Sequence, residues 1–206
     1  VRQAEQSSAE RRLALSKGIH LVVPQAALPV RNTVIINTPD KRMVFAVPRG
    51  AFTYIGTTDE FYPDCDYWPR VERDDVDYLL TATRRALFAD NLSRRDIVSI
   101  WSGVRPLVGQ QGKSAKEVSR KDEVWTGPTG MLSIAGGKLS AYRAMAERIV
   151  DTVVERLGIA ARPCATTDQP LPGGDRAACE TAGLSALDPV ARERLMRLYG
   201  SEAEAL

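Results

Sequence analysis

The spacing of apolar residues along this chain changes several times, and each change marks an element. Ile19-His20-Leu21-Val22-Val23-Pro24 is apolar except for one histidine, which predicts a buried strand. Residues 33–37, 42–48 and 51–57 repeat the signal, and Pro39-Asp40-Lys41 supplies turn chemistry between two of them. Short strands joined by short turns predict an antiparallel sheet. From Glu72 to Ala89 the spacing becomes helical. Val76, Leu79, Leu80, Thr83 and Leu87 share one face, while Asp74, Asp75 and Asp77 suit the positive end of the helix dipole. Residues 96–101 and 131–135 read as two further strands, and residues 116–125 as another with Val118 and Val124 inward.

After the run at 131–135 comes Gly136-Gly137-Lys138-Leu139-Ser140-Ala141-Tyr142-Arg143, a glycine turn opening a helix. Leu139, Tyr142, Met145, Ile149, Val153 and Leu157 recur at helical spacing, so the helix runs to about Leu157 and stops at Gly158. Prolines and adjacent glycines at 160–174 mark a linker. Asp188-Pro189 is an N-cap and first-turn pair for a last helix. The fold expected is α+β: a mainly antiparallel sheet with packed helices, followed by the start of a C-terminal helical domain. The divisions expected are 1–158, a linker at 159–174, and a truncated helical domain at 175–206.

Composition narrows the function classes. The 206 residues are 44% hydrophobic and 26% charged, ordinary for a globular chain able to bury a core. A net charge of +2, with no basic tract interleaved by aromatics, argues against nucleic acid as a partner. Cys65, Cys164 and Cys179 have neither zinc spacing nor a disulfide framework, which points to a reducing cytoplasm and no metal. Apolar runs fall short of a membrane span, and no signal peptide is evident. The chain lacks an initiating methionine and stops just after a helical pattern. It reads as a piece of something longer.

Candidate chemistry lies in three cations, one histidine and two turns. The glycines at 136 and 137 let backbone approach a ligand, and free N–H groups at a helix start favour negative charge. Lys138 opposes the helix dipole there. It either meets an anion or points to solvent. Arg105, flanked by Val104 and Pro106 at the end of an apolar strand, needs an anionic partner if buried. That partner is either an acidic side chain or a phosphate held bidentately. Arg120 is a surface charge or a second anion contact. His20 is the one histidine. It reads either as a packed strand residue or as a proton-transfer group, since only histidine has an unperturbed pKa near neutrality. Gly56-Thr57-Thr58-Asp59 is a turn or a ligand contact. The tryptophans and tyrosines go to packing. No Gly-x-Gly-x-x-Gly fingerprint is present.

Several ordered blocks together resemble the flavin-dependent glycerol-3-phosphate dehydrogenases. They are residues 16–24, Ile55-Gly56-Thr57-Thr58-Asp59, Val76-Asp77-Tyr78-Leu79-Leu80 and Trp101-Ser102-Gly103-Val104-Arg105-Pro106-Leu107. Ser119-Arg120, residues 136–143, Leu171-Pro172-Gly173-Gly174 and Leu198-Tyr199-Gly200 complete the series. The resemblance covers the chain from about residue 16. It implies an FAD cofactor and oxidation of sn-glycerol 3-phosphate to dihydroxyacetone phosphate by hydride transfer, with electrons passed to quinone or, in oxidase relatives, oxygen. By resemblance Arg105 and Arg120 bind the substrate phosphate or nearby oxygens, and His20 is the candidate for proton transfer. Lys138 lies between flavin and substrate. Gly136, Gly137, Lys138, Leu139 and Ser140 would then contact the flavin where negative charge grows on reduction. His20, Arg105 and Lys138 are the catalytic set so implied.

The family's nucleotide-binding half and a further phosphate-binding arginine lie upstream, and Ser140 stands where the family often has Thr. The resemblance therefore implies an inactive fragment, a cytoplasmic location with peripheral contact to the inner face of the membrane, and an apolar face on the 139–157 helix left for the missing half or for a homo-oligomer. A related amine or amino-acid oxidase is disfavoured, because two arginines and a lysine suit a phosphate dianion better than a carboxylate. A non-catalytic interaction module is the alternative from another class.

Overall fold

A computed structural model of the chain describes residues 13–64, 66–108, 122–175 and 183–205. It divides into two compact units, one reaching Leu139 and one running from Ser140.

The first unit is built around one long strand, β1 (Leu13–Pro24). Strands β2 (Val34–Asn37), β3 (Met43–Arg49) and β4 (Phe52–Gly56) form a meander whose last member pairs antiparallel with the second half of β1. The short β5 (Glu60–Phe61) pairs with Ser16 and Lys17, and β6 (Ser99–Val108) runs antiparallel along β1 from Leu13 to Val22. The predicted antiparallel sheet is therefore present. Successive strand residues point to opposite faces. On one face Ile19, Leu21 and Val23 of β1 join Val44, Ala46 and Ile55 in the core. Helix α1 (Arg73–Leu87) covers that core with Val76, Leu79 and Leu80, the face its periodicity predicts.

A charge pair ties helix to strand. Lys17 shares the core face of β1, and its ammonium donates to the Asp75 carboxylate at 2.7 Å and to the Arg70 carbonyl at 3.1 Å. Side-chain exposure is only 8% and 3% for the two partners, so each charge depends on the other for compensation. Asp75 also accepts from the Glu72 backbone N–H at 3.0 Å, closing a capping box at the helix start.

A small second sheet pairs β7 (Glu123–Thr126) with β8 (Leu132–Ala135). The second unit holds α2 (Tyr142–Leu157) and α3 (Pro189–Tyr199). As expected, Gly158 ends α2 in the left-handed region, and the Asp188 side chain caps α3 by accepting from Val190 and Ala191. Within this unit Gly173 packs against the Tyr199 carbonyl, closer than a side chain allows.

Several boundaries differ from the sequence expectations. β1 begins six residues before Ile19, because Leu13 to Gly18 find partners in β6 that periodicity cannot reveal. The strand expected at 96–101 is instead Ser99–Val108, since Ser93 and Asp96 cap each other and hold residues 94–96 in a 3-10 turn. Arg105 therefore stands inside a strand rather than at its end. Val124, expected inward, is 43% exposed on the two-stranded sheet. Val118 lies outside the described residues. A 3-10 turn occupies 139–141, so the α-helix expected from Leu139 begins at Tyr142.

Asp75→Asn keeps the cap acceptor but strands the Lys17 charge, and urea unfolding is expected to show a loss of about 3 kcal/mol. Lys17→Met with Asp75→Asn removes both charges and recovers most of it. A single variant within about 0.5 kcal/mol of wild type contradicts the role given to the pair.

Candidate functional site

The face of β1 opposite α1 carries Ser16, Gly18 and His20. Directly opposed residues of antiparallel strands share a face. The register sets Ser16 against Arg105, Gly18 against Gly103 and His20 against Trp101 across β6. Across β4 it sets His20 against Gly56 and Val22 against Tyr54. Two of the residues singled out in the sequence, His20 and Arg105, are thereby brought onto one sheet face.

Glycines decide how the two side chains lie. A Cβ on Gly18 would overlap the Arg105 guanidinium and the Thr57 hydroxyl, so Arg105 lies across β1 at Gly18. His20 is one alternation away, about 6–7 Å along the strand. A Cβ on Gly56 would overlap the His20 imidazole, so that ring lies across β4. Gly103, between the two side chains on β6, has open space above it.

The Arg105 guanidinium donates through Nη2 to Thr57 Oγ1 at 2.7 Å, and through Nη1 to the Thr58 carbonyl at 3.3 Å and to Asp59 Oδ1 at 3.4 Å. Asp59 also accepts from the Ser16 hydroxyl, and Thr58 Oγ1 accepts from the Ile19 backbone N–H at 3.0 Å. The turn at 56–59 thus wraps the arginine with acceptors. Arg105 has an acidic partner, yet its side chain remains 29% exposed, so the cation can still face an anion from solvent.

His20 is flanked by aromatic rings. Its imidazole stacks on Trp101 with centroids 5.0 Å apart and planes 14° apart, and Tyr54 meets Trp101 edge-on, also at 5.0 Å. Burial, and secondarily the Arg105 charge, lower the His20 pKa below its ordinary 6.5. Folding therefore favours neutral imidazole at pH 7. This contribution to stability is present above pH 6.5 and is lost as pH falls and the buried ring must charge. A neutral imidazole beside a fixed cation can accept a proton from a group bound to that cation.

Gly136 and Gly137 both have φ of 80°, a conformation open to glycine and awkward for other residues. Lys138 and Leu139 after them are exposed, as is Ser140 at the start of the second unit. Arg120 lies outside the described residues. Among the described residues, no His, Cys, Asp and Glu cluster is placed to hold a metal ion.

A groove of about 460 Å³ in the second unit runs between α2 and residues 162–172, and Arg143 there donates to Glu147 at 2.8 Å. No helix among the described residues is long and apolar enough to cross a membrane.

Sequence reasoning missed Trp101, Tyr54 and Gly18 as site residues, and held Asp59 only within a turn that could contact a ligand. The available signal was the period of two on β1, which separates Gly18 and His20 from Ile19 and Leu21. The pairing that brings Trp101 and Arg105 alongside has no local signature.

A family model described as FAD dependent oxidoreductase matches residues 2–143. The chain is 43% identical over 178 residues to the aerobic glycerol-3-phosphate dehydrogenase of Bacillus subtilis strain 168, covering 84% of this chain and 32% of that protein. It is 39% identical over 223 residues to the enzyme of the same description from Staphylococcus aureus strain USA300, covering all of this chain and 40% of that protein. An X-ray structure of the glycerol-3-phosphate dehydrogenase from Bacillus halodurans complexed with FAD superposes with a TM-score of 0.82 at 37% identity, over 98% of this chain and 41% of that one. The chain thus spans about a third to two fifths of the length of the relatives it matches.

Because His20 is the one histidine, its imidazole proton signals can be titrated without ambiguity. The midpoint is expected below 6.5, and Arg105→Ala is expected to raise it without passing that value. A wild-type midpoint at or above 6.5, or no rise in the variant, contradicts this electrostatic description.

Proposed function

The chain belongs to the FAD-dependent oxidoreductase family, and on that premise we propose that it is the substrate-binding part of a glycerol-3-phosphate dehydrogenase. The observation that carries the reading is the placement of a held but accessible arginine and a neutral histidine one alternation apart on an open sheet face. That spacing suits a short carbon chain with phosphate at one end and a hydroxyl beside it. Named relatives of similar sequence carry the same substrate in their descriptions.

In this reading Arg105 binds the substrate phosphate, with Arg120 as a second cation on the same group. Neutral His20 accepts the proton from the C2 hydroxyl as the C2–H bond breaks, and the C2–O bond becomes the carbonyl of dihydroxyacetone phosphate. When bound, the flavin of FAD supplies the hydride acceptor for that C2 hydrogen. The residues fit such a group at Gly136 and Gly137, whose positive φ and missing side chains let a planar ring approach the backbone. Lys138 then places a cation beside charge that grows on reduction, and Leu139 and Ser140 complete the contact.

Electrons pass on to quinone, and contact with the cytoplasmic face of a membrane is peripheral. In the proposed organisation residues 1–158 serve the oxidoreductase domain, 159–174 a linker and 175–206 a helical domain. The 206 residues alone do not turn over, because they span well under half of the relatives' length. Val150 and Leu157 of α2 are exposed, which suits packing by a further part of the enzyme or by a second copy.

In the full-length flavoprotein without oxygen, glycerol 3-phosphate is expected to bleach the oxidised flavin band. Arg105→Ala is expected to lower kcat/KM about 100-fold, the loss of a charged hydrogen-bonding group worth about 2–3 kcal/mol, mostly through KM. A flavin-loaded enzyme that does not bleach contradicts the substrate assignment.

A further inference from the structure

We infer that Trp101 is a positioning residue for His20: its indole forms the wall that fixes the imidazole across Gly56 and shields it from water. The inference rests on the proposed role of His20 in proton transfer.

Three observations converge on it. The imidazole stacks on the indole with ring centroids 5.0 Å apart and planes 14° apart, so the indole covers one face of it. Tyr54, at 82° to Trp101, braces the indole from the neighbouring side, and its opposite number on β1, Val22, is buried. Below the imidazole the floor is bare backbone, because any side chain at 56 would occupy the ring's place. His20 is thus held between a glycine floor and an aromatic wall. Neither contact is a hydrogen bond, so both imidazole nitrogens keep their capacity for proton exchange with a bound hydroxyl. Trp101 is itself 39% exposed, which is unusual for so large a ring in a paired strand position and expected for a ring that lines a site.

Among the described residues, few titratable groups lie near His20. From β6 comes Arg105, which is paired with Asp59 of the turn after β4. From β4 comes the Tyr54 phenol, whose ring meets the indole edge-on. Lys17 of β1 points to the opposite face, where it pairs with Asp75. Removing the indole leaves all of these in place and changes only the shielding. The imidazole then sees more water, and its midpoint moves up towards 6.5.

The test uses Trp101→Thr and Trp101→Val, two good strand formers without a ring, beside Trp101→Phe, which keeps one. Proton NMR titration of His20 in the 206-residue chain is expected to move up towards 6.5 in the first two and to stay near wild type in the third. Retained chemical-shift dispersion shows that each variant is folded. In the full-length enzyme the limiting rate of flavin reduction is expected to fall about tenfold for Thr and Val and under about threefold for Phe. KM is expected to change little, because Arg105 is untouched.

An unchanged titration in folded Thr and Val variants overturns the inference, as does a Phe variant that shifts as far as they do. The titration needs no substrate. An enzyme not bleached by glycerol 3-phosphate therefore contradicts the reaction, while the titration separately decides the role of Trp101.

Discussion

The period of two along β1 is the constraint on which the rest of the first unit depends. Lys17, Ile19, Leu21 and Val23 face α1, and their burial sets which side of the sheet is core. Ser16, Gly18 and His20 are thereby committed to the other face. A slip of one residue would bury the histidine under the helix and expose Ile19 and Leu21. The apolar contacts of α1, together with the buried Lys17–Asp75 pair, therefore do more than stabilise. They lock the register that places His20 opposite Trp101 and Ser16 opposite Arg105.

Within that frame the site is made by subtraction as much as by addition. Gly18 and Gly56 remove side chains where Arg105 and His20 must lie, and Gly103 leaves the space between them open. What is added is a set of acceptors on the 57–59 turn, which hold the guanidinium without covering it. The arginine then acts twice. It offers a fixed cation to an anionic ligand, and it helps to hold the nearby imidazole neutral. Cation and imidazole are coupled by proximity, so in the proposed reading one arrangement would serve binding and proton transfer together.

Much of the fold was legible because its elements announce themselves locally. The helical face at Val76, Leu79 and Leu80 shows in the spacing, as do the stop at Gly158 and the cap at Asp188. The start of β1 and the true extent of β6 were not legible, because each exists by pairing with the other across about 90 residues of chain. The same reason hid Trp101. Its meaning lies in its cross-strand partner, and a tryptophan in an apolar run reads as packing. Asp75 was legible as a helix-start acid but not as the partner of Lys17, which sits in a different element. His20 and Arg105 were singled out on chemistry, and the register supplied their shared face.

The most direct test of this account is a crystal structure of the full-length enzyme with sn-glycerol 3-phosphate bound. The account predicts phosphate oxygens within hydrogen-bond distance of the Arg105 guanidinium and the C2 hydroxyl within about 3 Å of a His20 nitrogen, over the open space at Gly103. Substrate bound with its phosphate away from Arg105, or with the C2 hydroxyl out of reach of His20, would contradict it.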